Sequence, residues 1–210
     1  MKSEIKKIFE QESAAVRNIP VDGSYEKAIE MIFDRVHRKN GKLVTSGMGK
    51  AGQIAHNIAT TFSSTGTPSV FLHPSEAQHG DLGIMQQNDI LLAISNSGKT
   101  REIIELIDLK ENLFPGIPVI VITGNGDSPL AHKADCRLLT GAPAEVCPLG
   151  LSPTTSTTVF TVIGDALVVL MMNKIHFTSA DYAKRHHGGY LGAKSREQSG
   201  FPDADPENKK

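Results

Sequence analysis

Three turns in this 210-residue sequence carry residue types suited to holding a small anion. Gly47-Met48-Gly49-Lys50-Ala51-Gly52 and Ala93-Ile94-Ser95-Asn96-Ser97-Gly98-Lys99-Thr100 each follow an apolar run and open a helical pattern. Ser152-Pro153-Thr154-Thr155-Ser156-Thr157-Thr158 crowds hydroxyls into the start of a third helix. Ser95, Ser97 and Thr100 supply hydroxyls, and the amides of Gly98 to Thr100 open a helix, so a phosphate monoester meets donors and a favourable dipole. One Ser would suffice merely to cap that helix. The threonines are poor helix material, which points to another use for them. Ser46, Gly47, Gly49, Asn96, Gly98, Ser152, Thr154 and Thr155 complete the candidate phosphate contacts.

Two nucleotide readings fit less well. Residues 47–52 match GxGxxG between a strand and a helix, but a dinucleotide site also wants an acid closing the second strand. That strand runs into Leu72-His73-Pro74, with Glu76 beyond the proline, and Lys50 within the turn suits an anion better than a ribose. A P-loop places Gly five residues before its Gly-Lys pair, where this chain has Ala93 inside the strand. Only Ser95 to Gly98 remain to wrap a polyphosphate, and the strand Val119-Ile120-Val121-Ile122-Thr123 runs on to Gly124-Asn125 without a metal-binding Asp.

These turns need a scaffold, and the alternation of short apolar runs with helical periods predicts a parallel α/β sheet. Helices are expected at about 3–18, 24–39, 50–65, 99–112 and 154–175, with short ones opening at Ser128-Pro129 and from Ser179. Strands are expected at 42–46, 68–72, 90–95, 118–123 and 136–140, with a polar loop over residues 73–83. The ligand edge of such a sheet is its strand C-terminal ends, where all of these turns lie. The expected organisation is N-terminal helices 1–40, one domain 41–192, and a polar, Pro-rich tail 193–210 that is loose from about 195.

Composition excludes several partners. A net charge of −1 gives no reason to expect nucleic acid or an anionic membrane, and the lack of Trp with only three Tyr argues against a base-stacking platform. The N-terminus has no apolar signal core, and Val159 to Met172 reads as too short to span a bilayer. Cys136 and Cys147 make no disulfide framework and read as buried thiols in a reducing cytoplasm.

The stretches GMGKAG, STGTPSVFLHPSEAQHGDLG, AISNSGKT, VITG, EVCPLGLSPTTSTT with GDAL, and HHGGYLG occur in order over residues 41–192. Together they resemble the sugar isomerase (SIS) domain and, within it, the arabinose 5-phosphate isomerases of the KpsF/GutQ type. The resemblance implies a three-layer αβα sandwich around a five-stranded parallel sheet, a cytoplasmic homotetramer, and interconversion of ribulose 5-phosphate with arabinose 5-phosphate for Kdo synthesis. The alternatives are an isomerase of another phosphosugar and a non-catalytic SIS sugar-phosphate sensor. A CBS domain pair commonly follows this domain, whereas the sequence here ends, so regulation is expected within the isomerase domain. Its expected effector is a later product such as CMP-activated Kdo. The family's HPGG reads His186-His187-Gly188-Gly189.

Aldose–ketose isomerisation needs a base that carries a proton between C1 and C2, groups that handle hydroxyl protons, and stabilisation of a cis-enediol. No metal or redox cofactor is required. Glu145, alone in an otherwise uncharged run, is the candidate base, with burial expected to raise its pKa. Lys50 is the candidate cation for the phosphate or the enediolate, and the family motifs mark His79 and His186 for hydroxyl protons. Glu102 resembles a supporting residue, although an acid at a helix N-terminus accounts for it equally well. The family counterpart of His73 can bind an inhibitory zinc. The glycines after His186 are expected to free the chain so that this histidine reaches a neighbouring subunit's site.

Overall fold

The computed structural model describes residues 1–200. Five parallel strands, β1 (Leu43–Gly47), β2 (Ser69–Phe71), β3 (Ile90–Ile94), β4 (Val119–Thr123) and β5 (Cys136–Leu139), lie in the order β2-β1-β3-β4-β5. Every residue of β1, β3 and β4 is buried, because helices cover both faces and strands covered on both sides read as continuous apolar runs.

The pleat sends alternate side chains to opposite layers. Leu92, Ile94, Ile120 and Ile122 pack with α1 (Lys2–Arg17), α2 (Ser24–Ile32), α3 (Gly49–Ser64) and α7 (Thr155–Lys174). Leu91, Ala93, Val119 and Val121 pack with α5 (Arg101–Leu113) and with the short α4 (Pro74–Ala77) and α6 (Pro129–His132). This is the expected three-layer sandwich. Phe62, Phe160 and Leu167 are fully buried in the first layer, and each contributes about 1.5–3 kcal/mol through burial.

Local departures have local causes. The expected helix 24–39 is α2 continued by a π-helical segment, Phe33–Arg38, which ends where Asn40 takes a φ of +56°. The expected polar loop folds into α4 and a 3₁₀ turn, Asp81–Ile84. Residues 179–183 form α8 under a Thr178/Asp181 capping box, and Gly189–Ser199 form α9. That last helix corrects the loose tail from about 195 and crosses the expected boundary at 192. Gly188 and Gly189 open α9 rather than freeing the chain, and Arg196 Nη1 ties it back to the carbonyls of His186 and His187. The remaining tail residues, 201–210, lie outside the described residues.

Two composition-based expectations also change. The 20-residue α7 is long and apolar enough, by length and composition, to cross a membrane, so the expectation of too short a stretch does not hold. Nine of its 20 residues are buried, and Val159, Ile163, Leu167 and Met171 make it the core helix of its layer. Cys136 is buried, and its Sγ donates to the Ser24 carbonyl; Cys147 is only half-buried.

Candidate active site

The strand order reverses between β1 and β3, so the connections leaving these two strands diverge and open a crevice at their C-terminal ends. Into it run the glycine turn after β1 and the serine turn after β3. A cleft of about 390 Å³ is lined there by Lys50, Ser95, Asn96, Ser97, Thr100 and Glu145, walled by Met48, Ile94 and Phe160 and bounded by Gly150, Leu151 and Pro153.

The glycine turn owes its composition to packing. An added Cβ on Gly52 would lie 2.5 Å from the Gly47 carbonyl oxygen, so both glycines let α3 start directly against β1. Lys50 stands in the first turn of α3, exposed and, among the described residues, without a carboxylate partner.

The serine turn is braced internally. Ser95 Oγ shares a 2.8 Å hydrogen bond with Thr100 Oγ1 and accepts the Gly98 amide at 3.1 Å. Gly98 has a φ of +63°, and a Cβ there would fall 1.9 Å from Ser128 Oγ, so no other residue fits without rearrangement. Thr100 is the N-cap of α5, yet no side chain caps that helix, so its first amides retain donor capacity. Capping alone therefore does not explain these hydroxyls. Ser97 Oγ accepts the Lys99 amide at 3.2 Å and lines the cleft.

Glu145 arrives on the irregular connection between β5 and α7. Its Oε2 accepts from the Thr154 amide at 2.7 Å, from Thr154 Oγ1 at 3.0 Å and from the Ser156 amide at 3.2 Å. The carboxylate thus caps α7 from nine residues away, where the helix dipole favours negative charge. Burial pushes its pKa up, but the hydrogen bonds from Ser156 and Thr154 outweigh that and leave it below the ordinary carboxylate range. This reverses the expectation of a raised pKa. Glu145 is an anchored, ionised group at neutral pH.

Several expected contacts are placed elsewhere. Ser46 is fully buried, and its hydroxyl donates to the Leu72 carbonyl at 2.7 Å, inside the sheet. Gly47 and Gly49 line a separate cleft of about 440 Å³ beside His56 and His73. The Thr154 and Thr155 hydroxyls are engaged with Glu145 and Glu12, and the Ser152 amide donates to Cys147 Sγ. Those two threonines organise the site instead of facing the cleft. His73 Nδ1 is buried with no hydrogen-bond partner, but no three His, Cys, Asp or Glu side chains cluster as a metal site among the described residues. The zinc expectation finds no ligand set.

His79, Glu102 and His186 do not line the cleft of this single chain. His79 is exposed between α4 and the 3₁₀ turn, and Glu102 is half-buried in the first turn of α5. His186 stacks on Tyr182 with ring centroids 3.6 Å apart, and its Nδ1 lies 3.0 Å from the Tyr182 carbonyl. A carbonyl only accepts, so Nδ1 carries hydrogen, and Nε2 of the neutral ring is the basic nitrogen. Sequence reasoning missed the Ser156 amide and Glu12. An amide leaves no mark in residue type, and Glu12 lies in an ordinary charged helix.

Residues 37–170 match the SIS domain. Over 186 residues the chain is 46% identical to the Yersinia pestis protein named arabinose 5-phosphate isomerase KdsD, covering 89% of this chain and 55% of that protein. A Pseudomonas aeruginosa protein of the same name is 45% identical over 172 residues, 82% of this chain and 51% of its own. The chain thus spans about half the length of the curated relatives it matches. Among solved structures, a candidate phosphosugar isomerase involved in capsule formation from Bacteroides fragilis is 68% identical. Its TM-score is 0.89, with 90% of this chain and 99% of that one covered. The c3406 protein of E. coli CFT073, solved in complex with arabinose 5-phosphate, is 36% identical with a TM-score of 0.81, covering 87% and 95%.

Proposed function

The chain belongs to the SIS domain family, and from that premise we propose that it interconverts D-ribulose 5-phosphate and D-arabinose 5-phosphate through a cis-enediol. The observation that carries this reading is the meeting of Lys50, the serine turn and Glu145 in one cleft. The relatives named arabinose 5-phosphate isomerase and the neighbour solved with arabinose 5-phosphate supply the substrate. Ser97 and Thr100, with the opening of α5, hold the phosphate. The Glu145 carboxylate carries the proton between C1 and C2, and the Lys50 ammonium offsets the charge that develops on the enediol oxygens. Every step is a proton transfer, so the reaction calls for no cofactor.

His186 Nε2, His79 and Glu102 are assigned to hydroxyl protons and their support. Their placement outside this cleft fits a homotetramer in which a neighbouring subunit completes each site. The product would enter Kdo synthesis for lipopolysaccharide or capsule, in the cytoplasm, where free thiols such as Cys136 and Cys147 persist. The same Lys- and hydroxyl-lined edge suits an anionic feedback ligand such as CMP-activated Kdo, and calorimetric titration at millimolar concentration tests that.

The deciding experiment incubates the protein with pentose and hexose phosphates in D₂O and follows deuterium entry and aldose–ketose exchange by NMR. Exchange confined to the five-carbon pair is expected. Exchange of a different phosphosugar would reassign the substrate, and binding without exchange would indicate a sensor.

A further inference from the structure

Glu12 lies in α1, and its Oε1 accepts a hydrogen bond from Thr155 Oγ1 at 2.9 Å, across 143 positions of sequence. Thr155 is 1% exposed, and its Oγ1 in turn accepts the Val146 amide at 3.1 Å. A hydroxyl has one hydrogen, and an amide can only donate, so the chain of bonds runs one way. Val146 N–H donates into Thr155, and Thr155 O–H donates into Glu12. One end is a helix of the outer layer, and the other is the residue that follows Glu145.

The second carboxylate oxygen of Glu12 is buried with no hydrogen-bond partner. Burying a polar oxygen unpaired is unfavourable, so packing alone does not account for a polar side chain here. The connection from β5 to α7 has left-handed backbone at Gly141, Ala142 and Gly150 and no regular structure. The base therefore rides on a segment that needs external restraint. The Thr154 and Ser156 amides hold its carboxylate, and the Val146–Thr155–Glu12 chain holds the adjoining backbone.

We propose that Glu12 is a positioning residue: through Thr155 it fixes the backbone of Val146 and so the placement of Glu145 over the cleft. What Glu12 supplies is an acceptor, not a charge. Glu12→Gln keeps a carbonyl acceptor for Thr155, whereas Glu12→Ala and the near-isosteric Thr155→Val each break the chain. The kinetic arm rests on the isomerase reading above. The second arm, amide hydrogen exchange at Val146, does not.

In Glu12→Ala and Thr155→Val, kcat should fall roughly 10- to 100-fold with KM within about two-fold, because the serine turn is untouched. Exchange of the Val146 amide should rise about ten-fold in both. Glu12→Gln should stay within about two-fold of the wild type on both readouts, and the double variant should be no worse than the worse single one. A purely structural role would lower the melting temperature while leaving kcat and Val146 exchange unmoved below it. Unchanged exchange in Glu12→Ala, a Gln variant as impaired as Ala, or additive losses in the double variant would each overturn the proposal. If the wild type isomerises no sugar phosphate, the isomerase reading fails, and the exchange arm still decides the coupling. If Glu12→Ala does not fold, Thr155→Val and Glu12→Gln carry the same contrast.

Discussion

Glu145 has two roles that a single substitution would confound, and a pair of substitutions separates them. It is the proposed base, and it also caps α7 through three hydrogen bonds to one oxygen. Glu145→Gln keeps an acceptor for the Thr154 and Ser156 amides but removes the charge. A hydrogen bond to a charged group contributes about 1.5–3 kcal/mol against about 0.5–1.5 for a neutral one, and the dipole adds about 0.3–1. Because the carboxylate is partly exposed, solvent screening brings the net loss to about 1 kcal/mol. For a domain of this size that lowers the melting temperature by about 2–4 °C. Glu145→Ala also removes the cap, and the total approaches about 2 kcal/mol, or about 4–8 °C.

Turnover should follow a different order. Losing a general base costs about 10²–10⁴-fold, so Gln and Ala should be almost equally inactive, with sugar-phosphate binding retained in the Gln variant. The pH dependence follows from the lowered pKa of Glu145. The folded-state pKa lies below the unfolded one, so the stabilisation is fully present above the ordinary carboxylate range. It is lost as pH falls through the folded value. The stability gap between wild type and Gln variant should therefore stay constant from neutral pH down to the ordinary carboxylate range and close only below it. The assays are deuterium exchange by NMR for turnover and thermal denaturation across pH for stability. A Gln variant within a few-fold of wild-type turnover, with Ala impaired in proportion to its lost stability, would show that Glu145 is a cap and not the base.

Ser97→Ala should raise KM with kcat nearly kept, since its hydroxyl would contact the phosphate in ground and transition states alike; a large kcat loss at unchanged KM would place this turn in the chemistry. Gly98→Ala should cost at least about 1–3 kcal/mol and weaken sugar-phosphate binding, because the residue sits at a φ of +63° with Ser128 Oγ in the way of a Cβ. Wild-type melting and KM in that variant would refute the packing argument. Glu145→Gln and His186→Ala, each inactive alone, should regain part of the wild-type activity when unfolded together and refolded into mixed oligomers. No recovery, with mixed oligomers seen by native mass spectrometry, would mean that both residues serve the site of their own chain.

What the sequence determined by itself is the part encoded in local periodicity and turn chemistry. The apolar runs that became β1, β3 and β4 read as buried on both faces because parallel strands under two helix layers must be apolar at every position. The glycine and serine turns were legible for the same reason: each joins a strand end to a helix start, and in such a sheet those ends share one edge. Glu145 stood out as an acid in an uncharged segment. Its protonation did not follow from that, because the sign of the shift depends on amides of Thr154 and Ser156 that the fold aims at Oε2. Ser46 lies beside the right turn in sequence, yet the pleat directs its hydroxyl to Leu72 and away from the cleft. The short helices α4 and α9 took polar segments without apolar periodicity, where contacts with the rest of the chain outweigh weak propensity. Glu12 is the far limit: its partner is 143 residues away, and only the docking of α1 on α7 brings the two together. Periodicity records which face of a helix is buried. Which side chain it meets across the interface depends on how helices cross, and tertiary packing alone decides that.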